Sequence, residues 1–313
     1  MRRYRVPILA VILAATGACN RNSIADPFSA HGAPAGGDVS VPFPIDRGDA
    51  PGTPGTYKGL WLRLVEHSAP TVAAVDGVIG VVCIGMSNGN QECTELIQQL
   101  AGAWQSEVRP EVHVVNCAVG GHAIERWNDP AYDGTLWDAC INNRLQQRGV
   151  RLDQVRVIWH KAANQFGLGP GGAALPFYPS SGSDYANFLA NLGTFASRVK
   201  EHFPAVQAVY TSSRSYGGFN ERSDRGEPLS YEEGHALNTW LAANQSVDGV
   251  WYGWGPYIWA PDCASGEING SGVCYDRADY QSDAVHPSAQ GRLKIARMVH
   301  DRFREQGWYS GSQ

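Results

Sequence analysis

Five short apolar runs punctuate the chain, near Val78–Gly85, Glu111–Cys117, Gln154–His160, Val206–Ser212 and Asp248–Tyr252. Each is too short for a buried helix and too continuously apolar for a strand with one wet face, so each predicts a strand covered on both sides. Between them the apolar positions recur at helical spacing. The clearest case runs from Asp184 to Phe203, where Tyr185, Phe188, Leu189, Leu192, Phe195, Ala196, Val199 and Phe203 fall on one face behind Asp184 as cap. A helix from Gln91 to Trp104 follows the first run, and a last helix over Ser288–Glu305 is expected to bury Leu293, Ala296, Val299 and Phe303. This alternation predicts a five-stranded parallel sheet with helices on both faces and right-handed crossovers. Ligands of such sheets bind beyond the carboxyl ends of the strands, where strand order reverses. The first three strands lead into Ser87, Gly120-Gly121 and Ala162-Ala163-Asn164, which should therefore share one edge.

Ahead of this pattern the chain reads differently. Met1-Arg2-Arg3-Tyr4-Arg5, an apolar stretch from Val6 to Ala15 and the small residues Gly17-Ala18 have the layout of an export signal over residues 1–18. Cys19 follows as in the lipobox of bacterial lipoproteins, which implies cleavage before it and a lipid on its thiol; Thr16 stands where leucine is usual, so ordinary cleavage after Ala18 is the alternative. Residues 19–56, rich in Gly, Pro, Ala, Ser and Asp, read as a tether, because they lack the apolar surface to offset ordering entropy. Residues 57–313 have the length of one α/β domain. The expectation is an exported protein, periplasmic or at the cell surface, that touches the membrane only through its lipid.

Net charge is −5 with 18% charged residues, and Lys and Arg do not cluster beyond the signal. A nucleic-acid partner is excluded on that ground, since phosphate binding needs a basic face. Besides Cys19 there are Cys83, Cys93, Cys117, Cys140, Cys263 and Cys274. Six cysteines allow fifteen pairings. Cys263 and Cys274, which flank a Gly/Ser loop, are the pair most readily joined in an oxidising compartment. No C-x-x-C occurs, and the reading calls for no metal and no cofactor.

The candidate chemistry lies at the strand ends. In Gly85-Met86-Ser87-Asn88-Gly89 a strand turns into a helix at a serine, which sets a hydroxyl at the sheet edge beside helix N–H groups that favour negative charge. In Asp283-Ala284-Val285-His286-Pro287 a carboxylate stands three residues before a histidine. With these two stretches, Asn116-Cys117-Ala118-Val119-Gly120-Gly121 and Ala162-Ala163-Asn164-Gln165 complete a set that resembles the four sequence blocks of the SGNH (GDSL-type) hydrolases, in that family's order. The resemblance implies a three-layer α/β/α sandwich of flavodoxin-like topology and an ester hydrolase. It implies Ser87 as nucleophile, His286 as base, Asp283 as its orienting acid, and an oxyanion hole from the N–H groups of Ser87 and Gly121 with the side-chain amide of Asn164. Met86 replaces the family's usual aspartate, Ala162 and Ala163 its glycines, and Gln165 a frequent aspartate, which places the chain in a divergent bacterial branch.

Gly85-x-Ser87-x-Gly89 also fits the nucleophile elbow of α/β-hydrolases, but there the serine follows several strands and the acid lies far from the histidine. Here Ser87 follows the first strand. The bland alternatives are a turn serine at a helix start, and His286 beside a helix capped by Asp283. The aromatic stretch Trp251–Trp259 ends the last strand, so Trp254, Tyr257 and Trp259 are candidate contacts to a sugar ring, with core packing as the other reading. Arg214, Tyr216, His160 and Lys161 end strands at the same edge. The expected function is removal of an acyl group, such as acetate, from a carbohydrate ester. The alternative is a surface lipoprotein that binds carbohydrate without hydrolysing it.

Overall fold

The five apolar runs become strands, and a sixth joins them. In a computed structural model the protein is described over residues 64–310, except 162, 166–172, 174, 177–179, 221–225, 228 and 266–271. The signal, Cys19 and the tether lie outside the described residues. The strands are β1 (Ile79–Gly85), β2 (Val112–Asn116), β3 (Val155–Lys161), β4 (Ala208–Ser212), β5 (Ser246–Val247) and β6 (Val250–Trp254). Their order is β2-β1-β3-β4-β6-β5, with all neighbours parallel except β5 and β6. The five parallel strands have the flavodoxin-like order, whose reversal falls between β1 and β3.

The sequence pattern started the last strand at Asp248. That residue instead turns a hairpin with Gly249: φ is +51° at Asp248 and +77° at Gly249. Two positive φ values mark a type I′ turn, which folds Ser246–Val247 back onto β6. On the opposite margin β2 is the edge strand, and the guanidinium groups of Arg144 and Arg148 donate to the carbonyls of Asn116 and Val114.

The main helices are α1 (Ser87–Leu100), α2 (Ile124–Asn128), α3 (Asp184–His202), α4 (Leu229–Ala243) and α5 (Ala289–Arg304). Alternation along β3 sorts them into layers. Lys161 reaches Glu92 of α1, whereas His160 stacks on Phe195 of α3 with ring centroids 3.8 Å apart. Helix α5 packs on α1, and α3 packs on α2 and α4. The result is a three-layer α/β/α sandwich. Trp137, Trp159, Phe188, Phe195 and Tyr210 are fully buried in it. Each contributes about 1.5–3 kcal/mol by burial, so Phe195→Ala should cost about 3–5 kcal/mol.

Three helical expectations need correction. Helix α1 begins at Ser87 rather than Gln91 and ends before Trp104, because its polar first turn carries no apolar spacing to read. Asp184 does not cap α3; the hydroxyl of Ser183 accepts from the Ala186 N–H at 3.2 Å, and Asp184 is buried as the first helical residue. Leu293 is 42% exposed while Ile295 is buried. Two residues apart on a helix is about 200° of rotation, so only one of them can face the sheet.

Cys263 and Cys274 are joined, as are Cys83 with Cys93 and Cys117 with Cys140. Among the described residues no helix is long and apolar enough to cross a membrane.

Candidate active site

Strand β1 ends at Gly85, and Met86 turns the chain so that Ser87 becomes the first residue of α1. The first N–H groups of a helix have no partner within it, so the Ser87 hydroxyl sits at an end that favours negative charge. The loop after β2 is laid against this turn: the Val119 N–H donates to the Gly85 carbonyl at 3.0 Å. Asn90 and Asn116 hold it there, the Asn90 amide donating to Ala118 O at 2.7 Å and the Asn116 amide to Asn90 O at 2.8 Å. A turn from Val119 to His122 follows, closed by the His122 N–H on the Val119 carbonyl at 3.2 Å. Gly121 occupies its third position with φ +75°, which a side-chain-bearing residue adopts only with strain. The neighbouring Gly120 lies so near that a Cβ built on it would stand 3.8 Å from Ser87 Cβ.

The histidine arrives from the far end of the chain. Asp283 Oδ1 accepts the N–H groups of Val285 and His286, each at 3.0 Å, and Ala284, between Asp283 and Val285, holds φ +54°. This small turn aims the His286 ring. Its Nδ1 lies 2.5 Å from Asp283 Oδ2, and its Nε2 lies 2.9 Å from Ser87 Oγ. The Asn88 amide, one residue past Ser87, donates to the Val285 carbonyl at 2.9 Å and ties the histidine loop to α1. Partial burial works to raise the Asp283 pKa, but hydrogen bonds from the His286 ring and the two N–H groups outweigh it and hold the carboxyl at about 2. With Asp283 ionised, Nδ1 carries the ring proton and Nε2 is left to accept from the serine hydroxyl. The structure therefore brings together Ser87, His286, Asp283 and the Gly121 turn.

Asn164 does not join them as expected. It is buried, and its amide Nδ2 donates to Asp184 Oδ1 at 2.9 Å and to the Asp184 carbonyl at 3.3 Å. Its Oδ1 accepts from Asn191, and its N–H donates to Glu233 Oε1 at 2.7 Å. The side-chain amide is thus spent on Asp184 at the start of α3. The next N–H, that of Gln165, goes to the carboxylate of Glu125. Burial raises Asp184 to about 6 and pushes Glu233 well above the usual carboxylate range.

The aromatic candidates are corrected too. Trp254, Tyr257 and Trp259 are all buried. The Trp254 indole donates to Asn238 at 3.0 Å, that of Trp259 to Glu227 at 3.0 Å, and Tyr257 packs edge-on to Trp254. Both indole N–H groups find acceptors inside the protein and all three rings are enclosed, so their flat faces offer nothing to a sugar. His160 faces α3 rather than the edge, and burial lowers it to about 3. Arg214, Lys161 and Tyr216 do reach the edge, where they line a cleft together with Met86, Ala284 and Val285, the neighbours of Ser87 and His286. Sequence reasoning missed Asn88, whose position after Ser87 was the available signal, and Glu233, which nothing in α4 marks out. Among the described residues no group of acidic, histidine or cysteine side chains is arranged to hold a metal.

No protein-family model matches the chain, and no curated protein matches it. Among solved structures it is similar to a family 3 carbohydrate esterase of Clostridium thermocellum, at 14% identity and TM-score 0.40 over 73% of this chain and 96% of that one. It is also similar to a catalytic mutant of an acetylxylan esterase from Geobacillus stearothermophilus, at 15% identity and TM-score 0.41 over 74% of this chain and 95% of that one. Both likenesses are distant. The strand order carries the fold, and the serine–histidine contact carries the site.

Proposed function

We propose that the protein hydrolyses carboxylic esters, with an O-acyl group on a carbohydrate as the substrate class, and that Ser87, His286 and Asp283 perform the reaction. One observation supports this most: Ser87 Oγ, His286 Nε2, His286 Nδ1 and Asp283 Oδ2 form an unbroken relay, with links of 2.9 and 2.5 Å, from residues almost two hundred positions apart. A turn serine or a helix-start histidine has no need of that contact. Ser288, not Asp283, caps the last helix, its hydroxyl accepting from the Gly291 N–H.

In this reading Ser87 Oγ attacks the ester carbonyl carbon as its proton passes to His286 Nε2, and Asp283 stabilises the imidazolium. Negative charge developing on the carbonyl oxygen meets the N–H groups of Ser87 and Gly121 at the helix end. The C–O bond to the alcohol breaks and the alcohol departs with the proton from His286. Water then attacks the acyl-serine with His286 as base, which releases the acid and restores Ser87.

Hydrolysis of 4-nitrophenyl acetate, and release of acetate from acetylated xylan, test the proposal. Activity is expected in the wild type and should be abolished in Ser87→Ala and His286→Ala; retained activity in Ser87→Ala overturns it. The rival, a carbohydrate-binding protein without activity, rested on the altered Met86 and Gln165 positions and on the aromatic stretch, and the burial of Trp254, Tyr257 and Trp259 removes the aromatic part of that support. Export with lipid attachment at Cys19 belongs to the same proposal, and a Cys19→Ser protein should leave the membrane fraction.

A further inference from the structure

The cleft beside Ser87 lies where the strand order reverses. Lys161 and Ala163 approach it from the end of β3, Arg214 to Gly217 from the end of β4, and Ser230 from α4. Met86 and Val285 place it one residue from Ser87 on one side and from His286 on the other. Its charged and polar lining consists of Asn88, Lys161, Arg214, Ser215, Tyr216 and Ser230, so among the described residues no carboxylate lines it. Two cations in a wall without an anion are unusual for a pocket meant for a plain hydrocarbon chain, because a neutral occupant would strip water from them and return nothing.

The anions stand behind the wall. Lys161 meets Glu92 on the α1 side, both buried, and Arg214 Nε lies 3.6 Å from Glu233 Oε2. Burial biases Glu233, and with it Glu227 and Asp184, toward the neutral form. Ser230 adds an independent sign. Its side chain is fully buried against the cleft, yet its hydroxyl has no hydrogen-bond partner among the described residues. A buried hydroxyl without a partner is destabilising unless something supplies one.

We propose that this cleft receives a carboxylate carried by the substrate, held by Arg214 with help from Lys161 and Ser230, so that the preferred ester is an acidic one. The planar fork of a guanidinium matches the two oxygens of a carboxylate. The inference rests on the esterase reading of Ser87 for the chemistry, but not for the binding. The carboxylate belongs either to the alcohol part, as in an acylated uronic acid, or to the acyl part, as in a dicarboxylic half-ester.

Two matched pairs of esters separate these sources: 3-carboxyphenyl acetate against phenyl acetate, and monoethyl succinate against ethyl butyrate. In one pair the wild type is expected to favour the acidic member by about tenfold to a hundredfold in kcat/KM, the effect of a charge-assisted hydrogen bond. Arg214→Gln should bring that ratio toward one, and Arg214→Lys, which keeps the charge but not the fork, should give an intermediate ratio. If Arg214→Gln does not fold, a reduced ratio in Ser230→Ala serves instead. No preference in either pair, or a ratio unchanged by the variants, overturns the proposal. If the wild type turns over none of the four esters, the reading of Ser87 fails, and calorimetric titration with benzoate and succinate decides the cleft. Saturable binding lost in Arg214→Gln then sustains it, and absence of binding overturns it.

Discussion

Asp283 grips His286 at two points: Oδ1 accepts the backbone N–H at 3.0 Å, and Oδ2 meets the ring Nδ1 at 2.5 Å. One carboxylate therefore sets both the turn that delivers the histidine and the tautomer that leaves Nε2 able to accept a proton. Asp283→Asn keeps an acceptor for the backbone but offers the ring the wrong partner. It should lower kcat by about 10²–10⁴ with little change in KM. The carboxyl is held at about 2, so its stabilising contribution is fully present above the value of an unfolded aspartate, about 3.9, and is lost as pH falls from there to about 2. Because Asp283 stays ionised throughout, the rate deficit of the variant should be constant from pH 8 to 9, above the range in which an imidazole titrates, which steady-state assays there would check.

Asp184 behaves oppositely. Burial raises it to about 6, above the value of about 3.9 in an unfolded chain. The unfolded state therefore gives up this proton first, and stability falls as pH rises from about 4 to about 6, levelling beyond. Asp184→Asn can still accept from Asn164 and carries no charge to bury. It should be more stable than the wild type at pH 8, by up to about 3 kcal/mol, and no more stable at pH 4. Urea unfolding at the two pH values measures the difference; a gain of equal size at both would contradict it.

Asn164→Ala removes partners from two side chains at once, the buried Asp184 carboxyl through the lost amide and the Asn191 amide through the lost carbonyl. We expect a loss of about 2–4 kcal/mol in unfolding free energy. Its kcat should fall by less than the 10²–10³ that a direct oxyanion donor supplies. A stable variant with a kcat loss in that range would instead restore Asn164 to the oxyanion hole.

The Cys117–Cys140 bond closes 23 residues and the Cys83–Cys93 bond 10, one anchoring the loop that carries Gly121 and the other straddling Ser87. By the chain-entropy model each should contribute about 2.5–3.5 kcal/mol, the longer loop more. Paired Cys→Ala variants followed by guanidinium chloride unfolding would test the order.

Much of this was legible because strand ends announce themselves. Ser87, Gly121 and His286 each follow or precede an element with a clear period, and convergence on one edge is a consequence of parallel strand order. Asn164 was located but not oriented, since the groups that take its amide, Asp184 and Glu233, come from helices whose relative placement no local pattern encodes. Helix α4 is buried almost all round, Glu232, Glu233 and Asn238 included, so it has no polar face for periodicity to detect. Trp254, Tyr257 and Trp259 could be read as sugar contacts or as core, because the order of elements put them near the edge and composition alone does not say which way an indole points. The Asp248-Gly249 dipeptide was a recognisable hairpin signal, hidden within an apolar run.

That hairpin and the two arginines on β2 have a bearing on how molecules meet one another. A sheet that ended in β6 would offer a five-residue ladder of open N–H and C=O groups to any passing strand; β5 cuts that margin to two residues. At the other margin the carbonyls of Val114 and Asn116, alternate residues of β2 and hence on one side of it, are already taken by Arg148 and Arg144. Removing either arginine would free a carbonyl of that edge for pairing with a second chain, the kind of open margin through which sheets join edge to edge.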